Sequence, residues 1–278
     1  MNRLKCITAL LTILFLQAGV TIVTAQTGIA QFLTIDKQSI GIKNLTLVDS
    51  TGAGNKIIHT AAFDIAIDNS KEISTVLSLL QNSLKYNKPG DIYFTKTGVQ
   101  PGRAIDERKY QGSIVREIKL PAITATAKEL YIIRVSILAE TVSINYDVPT
   151  ALVSGKERTK ALASNFRITL ESLPTRRISK VESMKISSDS KNAGGQQFSV
   201  ELIALDERAW NEVYNNGAGK VLAKGRIEML SPNLVDVLLT INLEECTITS
   251  YRSITGTGQT IAKVAYGIQV GKVSFEIK

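Results

Sequence analysis

The chain has 278 residues, with 33 Lys and Arg against 25 Asp and Glu, a net charge of +8 and only 6% aromatic residues. The charges are scattered, without the basic stripe and interleaved aromatics of a nucleic-acid binder. A single histidine, His59, excludes any metal site built on two imidazoles and leaves one residue to serve every histidine-dependent mechanism.

The chain opens on a short basic stretch carrying Arg3 and Lys5, followed by an apolar run from Ile7 to Val23 and then Thr24-Ala25-Gln26. This is the layout of a Sec signal peptide, residues 1–25, cut after Ala25. The alternative is an N-terminal membrane anchor, since the run is near spanning length. Cleavage would send residues 26–278 to the periplasm, the cell surface or the medium. It would also remove Cys6, leaving Cys246 alone, so no intramolecular disulfide is expected.

Behind the signal, Phe32-Leu33-Thr34-Ile35 and the region of Ile42, Leu45 and Leu47 read as strands, as does the alternating Phe63–Asp68. From Lys71 to Tyr86, Ile73, Val76, Leu77, Leu80 and Leu84 fall on one face at helical spacing. Asp68, Asn69 or Ser70 caps this helix and Pro89-Gly90 stops it. Asp91–Phe94 resumes strand. Further on, Phe198–Leu202 is a strand, Asp206–Tyr214 a shorter helix, and Gly225–Met229 a strand again. This order repeats the first half at an offset of about 135 residues. Leu138, Glu140 and Tyr146 match Leu243, Glu245 and Tyr251 at about 105, which places an insertion within 95–124 of the first copy. The spacing predicts a tandem duplication: a first domain over 26–164 and a second over 165–278. Each is expected to be mainly β with one helix (β+α), a small β-barrel or β-sandwich.

Catalytic signatures are sparse. His59 lies in Ile57-Ile58-His59-Thr60 with no Gly-x-Ser-x-Gly elbow to serve, and reads as structural. Asn216-Gly217-Ala218-Gly219-Lys220 lacks the spacing of a phosphate loop, and Val221 stands where Ser or Thr would hold magnesium. Gly194-Gly195 and Gly256-Thr257-Gly258 read as turns. The adjacent acids Asp106-Glu107 and Glu244-Glu245 point to opposite faces of a strand and so cannot form a facing carboxylate pair. Cys246 and Trp210 read as buried. No catalytic, cofactor-binding or metal-ligating residue is expected, and no cofactor.

The central stretch Asn165–Ser187 reads as two strands about Leu173-Pro174-Thr175, with Phe166, Ile168 and Leu170 alternating against Arg167, Thr169 and Glu171. Through Phe166, Arg167, Ile168, Glu171, Leu173, Ser179, Val181 and Met184 it resembles the opening hairpin of contractile-phage tail tube proteins. Ser172 and Ser183 stand where that family usually has glycine. Gly225–Pro232, Leu239–Glu244 and Ile248 are similar to the later strands of tail tube and Hcp-type tube proteins. The resemblance covers 165–278, and reaches 31–146 through the repeat. It implies a non-enzymatic structural subunit that associates with itself edge to edge, in rings stacked into a tube, with further assembly proteins as partners. Three duplicated chains would make a pseudo-sixfold ring. The segment 95–124, with Arg103, Arg108, Lys109 and Tyr110, is the expected inter-subunit loop contact. The competing reading is an exported tandem β-sandwich module for binding or adhesion.

Overall fold

The structure, a computed structural model, describes residues 30–51, 57–97, 104–146, 148, 158–187, 196–216, 222–254 and 261–277. The predicted signal peptide lies outside them. Seven strands and a helix come first: β1 (Ala30–Ile35), β2 (Gln38–Thr51), β3 (Ile57–Ala66), α1 (Lys71–Tyr86), β4 (Gly90–Thr97), β5 (Ala104–Leu120), β6 (Ile123–Thr124) and β7 (Ile132–Ala139). There follow β8 (Thr141–Tyr146), β9 (Phe166–Leu170), β10 (Ile178–Val181), β11 (Met184–Ser187), β12 (Gln196–Ile203), α2 (Glu207–Asn216), β13 (Leu222–Leu230), β14 (Val237–Ile254) and β15 (Lys263–Ile277).

In the first sheet β4, β1, β2, β3, β7 and β5 pair in that order, and β5 pairs back to β4, so six antiparallel strands close on themselves. The β1–β2 turn needs no glycine: Asp36 and Lys37 both take positive φ, as a two-residue turn of primed type requires. Asn44, also at positive φ, marks an irregularity in β2, and its amide donates to buried Asp64, which Arg134 also reaches. The barrel interior carries Phe63, Phe94 and Tyr110 in an edge-to-face row, ring centroids 5.3 and 5.2 Å apart.

The second sheet runs β10-β12-β15-β14-β13-β9 and stays open. Strand for strand it has the pairing order of the first, with β9, β10, β12, β13, β14 and β15 standing where β1, β2, β3, β4, β5 and β7 stand. The closing contact is what differs. β1 pairs with β2, but β9 does not pair with β10, whose outer side is taken by β6 from the first half of the chain. In return β11 leaves the second half and pairs with β5, Met184 opposite Leu120.

This exchange corrects the expected fold class. The described residues are 66% strand and 14% helix, arranged as two curled antiparallel sheets with two α-helices in all, and not as two tandem small barrels or sandwiches each with its own helix. Edge strands cross between the sheets, and the buried apolar residues of both form one cluster. Nor are the two helices equivalent. α1 is capped by the Ser70 hydroxyl and buries Ile73, Val76, Leu77, Leu80 and Leu84, the face anticipated from spacing. It ends on Asn87 in left-handed conformation and packs on β2, β5 and also β15 of the other sheet. α2 buries one residue, Trp210. Its indole N–H donates to the Pro174 carbonyl, and its ring lies 5.0 Å from that of Tyr266.

Two further readings need correction. Asn165–Ser187 is not a hairpin, because β9 pairs with β13, β10 with β12 and β6, and β11 with β5. The match of Leu138 to Leu243 also fails, since β7 corresponds by pairing to β15 and β14 to β5. One displacement of about 135 residues relates all six strand pairs, and residues 104–120 are a barrel strand.

Candidate interaction surface

The residues expected to contact a neighbour lie on β5, except Arg103, which falls outside the described residues. Tyr110 is buried, packed against Phe94, and burial pushes its hydroxyl pKa upward. Lys109 pairs with Asp91 at 2.8 Å and sits 5.6 Å from the Tyr93 ring centroid. That hydrogen bond holds the Asp91 carboxyl below its ordinary range and raises the lysine. Arg108 lies 3.6 Å from Asp106. The structure thus brings Lys109 and Arg108 onto one strand and turns Tyr110 inward. Alternation along β5 carried this signal: once 104–120 is a strand, Tyr110 shares a face with Ile92 and Phe94 across the ladder.

Beside Lys109 a cleft of about 530 Å³ opens between the end of α1, the Asp36-Lys37 turn and the start of β4. Ser83 is engaged there, its hydroxyl donating to the Lys88 carbonyl and accepting from the Val115 amide, and Asp91 is held by Lys109. No group of three His, Cys, Asp or Glu side chains suited to a metal occurs among the described residues. His59 binds Asp49 at 2.8 Å on the β2–β3 ribbon. Cys246 is fully buried in β14, which pushes its thiol up to about 11. Residues 217–221, 194–195 and 256–258, the glycine-containing turns of the sequence reading, lie outside the described residues.

The surface with unspent bonding capacity is the open sheet. The Leu230 amide donates to the Asn165 carbonyl and the Glu171 amide to the Lys224 carbonyl, which sets the register of β9 on β13. By the antiparallel alternation, Arg167 and Thr169 bond toward β13, while the N–H and C=O groups of Phe166 and Ile168 point to the outer side. No strand among the described residues pairs there. Buried Glu228 fixes β9 from behind, bonding Arg167 at 2.6 Å with Arg226 at 3.8 Å. β8 is the second long edge. Among the described residues it pairs with β5 alone, and its exposed Ile144 and Tyr146 share a face with Val142. The sequence reading missed β8 as an edge because edge status depends on what lies beside a strand.

No protein-family model matches the chain. No curated protein matches it in sequence. Among solved structures it is similar to the tube-terminating cap of the anti-feeding prophage, with TM-score 0.30 and 11% identity over 42% of this chain and 87% of that one. It is also similar to the sheath/tube terminator of the extracellular contractile injection system PVC in its extended state, with TM-score 0.32 and 11% identity over 41% of this chain and 92% of that one. A chain of the PVC sheath–tube complex gives TM-score 0.32 and 11% identity over 42% and 88%. Each is a component of a tube or a sheath–tube assembly. Likeness at this level does not define the role of this chain, which rests on its own surface. Among the described residues no helix is long and apolar enough to cross a membrane.

Proposed function

We propose that this chain is a non-enzymatic structural subunit, exported behind its signal, that joins copies of itself edge to edge in a tail-tube-like ring. The observation that carries the reading is the outer edge of β9, whose Phe166 and Ile168 backbone groups face the place that β2 fills against β1 in the closed barrel. An unpaired strand edge is a template for another strand. β8 is the matching edge. Phe166, Ile168 and Leu170 alternate with polar residues on β9, and Val142, Ile144 and Tyr146 do the same on β8, so joining the two aligns apolar with apolar. A β9-to-β8 contact is head-to-tail and closes into a ring when the rotation permits. The shared pairing order of the two sheets supports an internal duplication, under which three chains would supply a pseudo-sixfold ring.

The test uses the full chain: light scattering for mass, negative-stain imaging for shape, and hydrogen exchange at Phe166 and Ile168. The expected result is a ring with a central hole, in which both amides exchange far more slowly than in the dilute monomer. Phe166→Pro removes an outward N–H while leaving the Asn165 and Arg167 bonds to β13, and is expected to give a folded monomer. A monomer of the parent chain at every concentration defeats the reading.

A further inference from the structure

A second surface lies at the two ends of the open sheet. Single exposed apolar residues are ordinary on a protein surface, but here they occur as pairs held in place. Between β13 and β14, Leu234 and Val235 are 58% and 73% exposed. Their loop is tightly built. The Asn233 side-chain oxygen accepts from the Ser231 hydroxyl and from the Val235 and Asp236 amides at 2.9 and 3.1 Å, and its amide donates to the Asp236 carboxylate at 2.6 Å. The Ser231 amide donates to the Asp236 carbonyl, and the Ser231 carbonyl accepts from the Leu234 amide and the Asn165 side chain. This network holds Leu234 at φ 59°, a left-handed backbone unfavourable to leucine.

The other pair is at the opposite end of β15. Leu205 and Ile261, 76% and 69% exposed, flank the hydrogen bond from the Ala204 amide to the Ala262 carbonyl, beside Lys263 where β15 begins. The loop leads into β14, whose Leu239 pairs with Ile277 where β15 finishes. Charge distinguishes the two ends as well. The loop exposes Asp236. At the Leu205 end Arg177 is neutralised by Asp206 at 2.8 Å, whereas Lys263 has no ion-pair partner among the described residues. Separated by the length of β15, the two ends cannot meet within one chain.

We propose that the Ser231–Asp236 loop of one copy docks on the Leu205–Ile261 end of the next, with Asp236 facing Lys263, so that copies stack head to tail along the strand direction. A second copy is the partner because one chain carries both an apolar tip with an acid and an apolar seat with a base, which makes a heterologous, propagating contact. This inference rests on the reading that the chain assembles with itself, and it assigns the stacking contact to residues other than the β5 group expected from sequence.

The experiment is sedimentation velocity and light scattering of the full chain across concentration, for the parent and three sets of variants. Leu234→Asn removes the apolar tip but suits a left-handed backbone. It is expected to raise the stacking midpoint at least tenfold while the unassembled chain melts at the same temperature or higher. Leu205→Ser is expected to weaken stacking similarly from the other side. Lys263→Glu alone is expected to weaken it, and Lys263→Glu with Asp236→Lys to restore most of it. Parent-like assembly in Leu234→Asn and Leu205→Ser overturns the stacking contact and leaves the edge-to-edge reading standing. A parent chain that is monomeric at every concentration overturns both.

Discussion

The two sheets have the same pairing order and opposite outcomes. In the first, β1 meets β2, the six strands close, and the aliphatic face of α1 packs against the barrel and onto the other sheet. In the second, β6 takes the outer side of β10, β9 keeps an outward edge, and the covering helix buries one residue, Trp210, with Val213 and Tyr214 only partly buried against the core. Tyr266 ties this arrangement together, donating to Asn211 at 2.8 Å, while Tyr251 donates to Glu207 at 2.6 Å. One connectivity therefore yields both a finished barrel and an unfinished one. The two residues of β6 decide which, since they occupy the ladder position that β9 would need.

That contrast sets the largest expected effects. Trp210→Ala should cost about 3–5 kcal/mol, because the ring is fully buried and its removal unseats α2. Leu77→Ala in α1 should cost about 2–5 kcal/mol. Denaturant titration of both should show a single transition, since one core cluster joins the sheets. Two separated transitions would break that picture.

Cys246 reports on how firmly the open sheet holds. With its thiol pushed up to about 11, little thiolate forms at neutral pH, so disulfide-reagent labelling should track global unfolding. Labelling as fast as that of an exposed thiol would show the open sheet parting ahead of the closed barrel.

A smaller effect belongs to the anchor of β9. Glu228→Gln weakens the hold of β13 on Arg167, and should cost about 1 kcal/mol given solvent around the half-exposed guanidinium. In hydrogen exchange the loss should appear at β9 and be absent from its counterpart β1.

The smallest effect is a pH dependence in the closed barrel. The Asp91 carboxyl, lowered by its bond to Lys109, binds its proton more readily unfolded than folded. Its contribution is therefore complete above the ordinary value of 3.8 and fades as pH falls through the lower folded value. Asp91→Asn should remove this slope in a melting profile below pH 4 and lower the melting temperature slightly at pH 7, where the contribution is complete.

Periodicity located α1, since five aliphatic residues fall at 3.6 spacing between a cap among Asp68, Asn69 and Ser70 and a stop at Pro89-Gly90; the structure selects Ser70 as the cap. The strand character of Phe63–Ala66, Phe198–Leu202 and Gly225–Met229 was equally legible, as was the burial of Trp210 and Cys246. The Asp36-Lys37 turn was not, because it takes positive φ at two residues that seldom signal it. The charges at 106–109 mask the alternation of strand 104–120, so the sequence pattern there resembles an insertion and shifts the match of β14 onto β7. Local pattern fixes which residues form strands and which face is apolar, for those depend on neighbours within a turn or two. Which strand lies beside which, and so whether β9 is covered or open, depends on contacts far apart in sequence. Only the tertiary structure decided that β6 would cross to β10 and β11 to β5, and with that exchange where the surface of this protein was left unpaired.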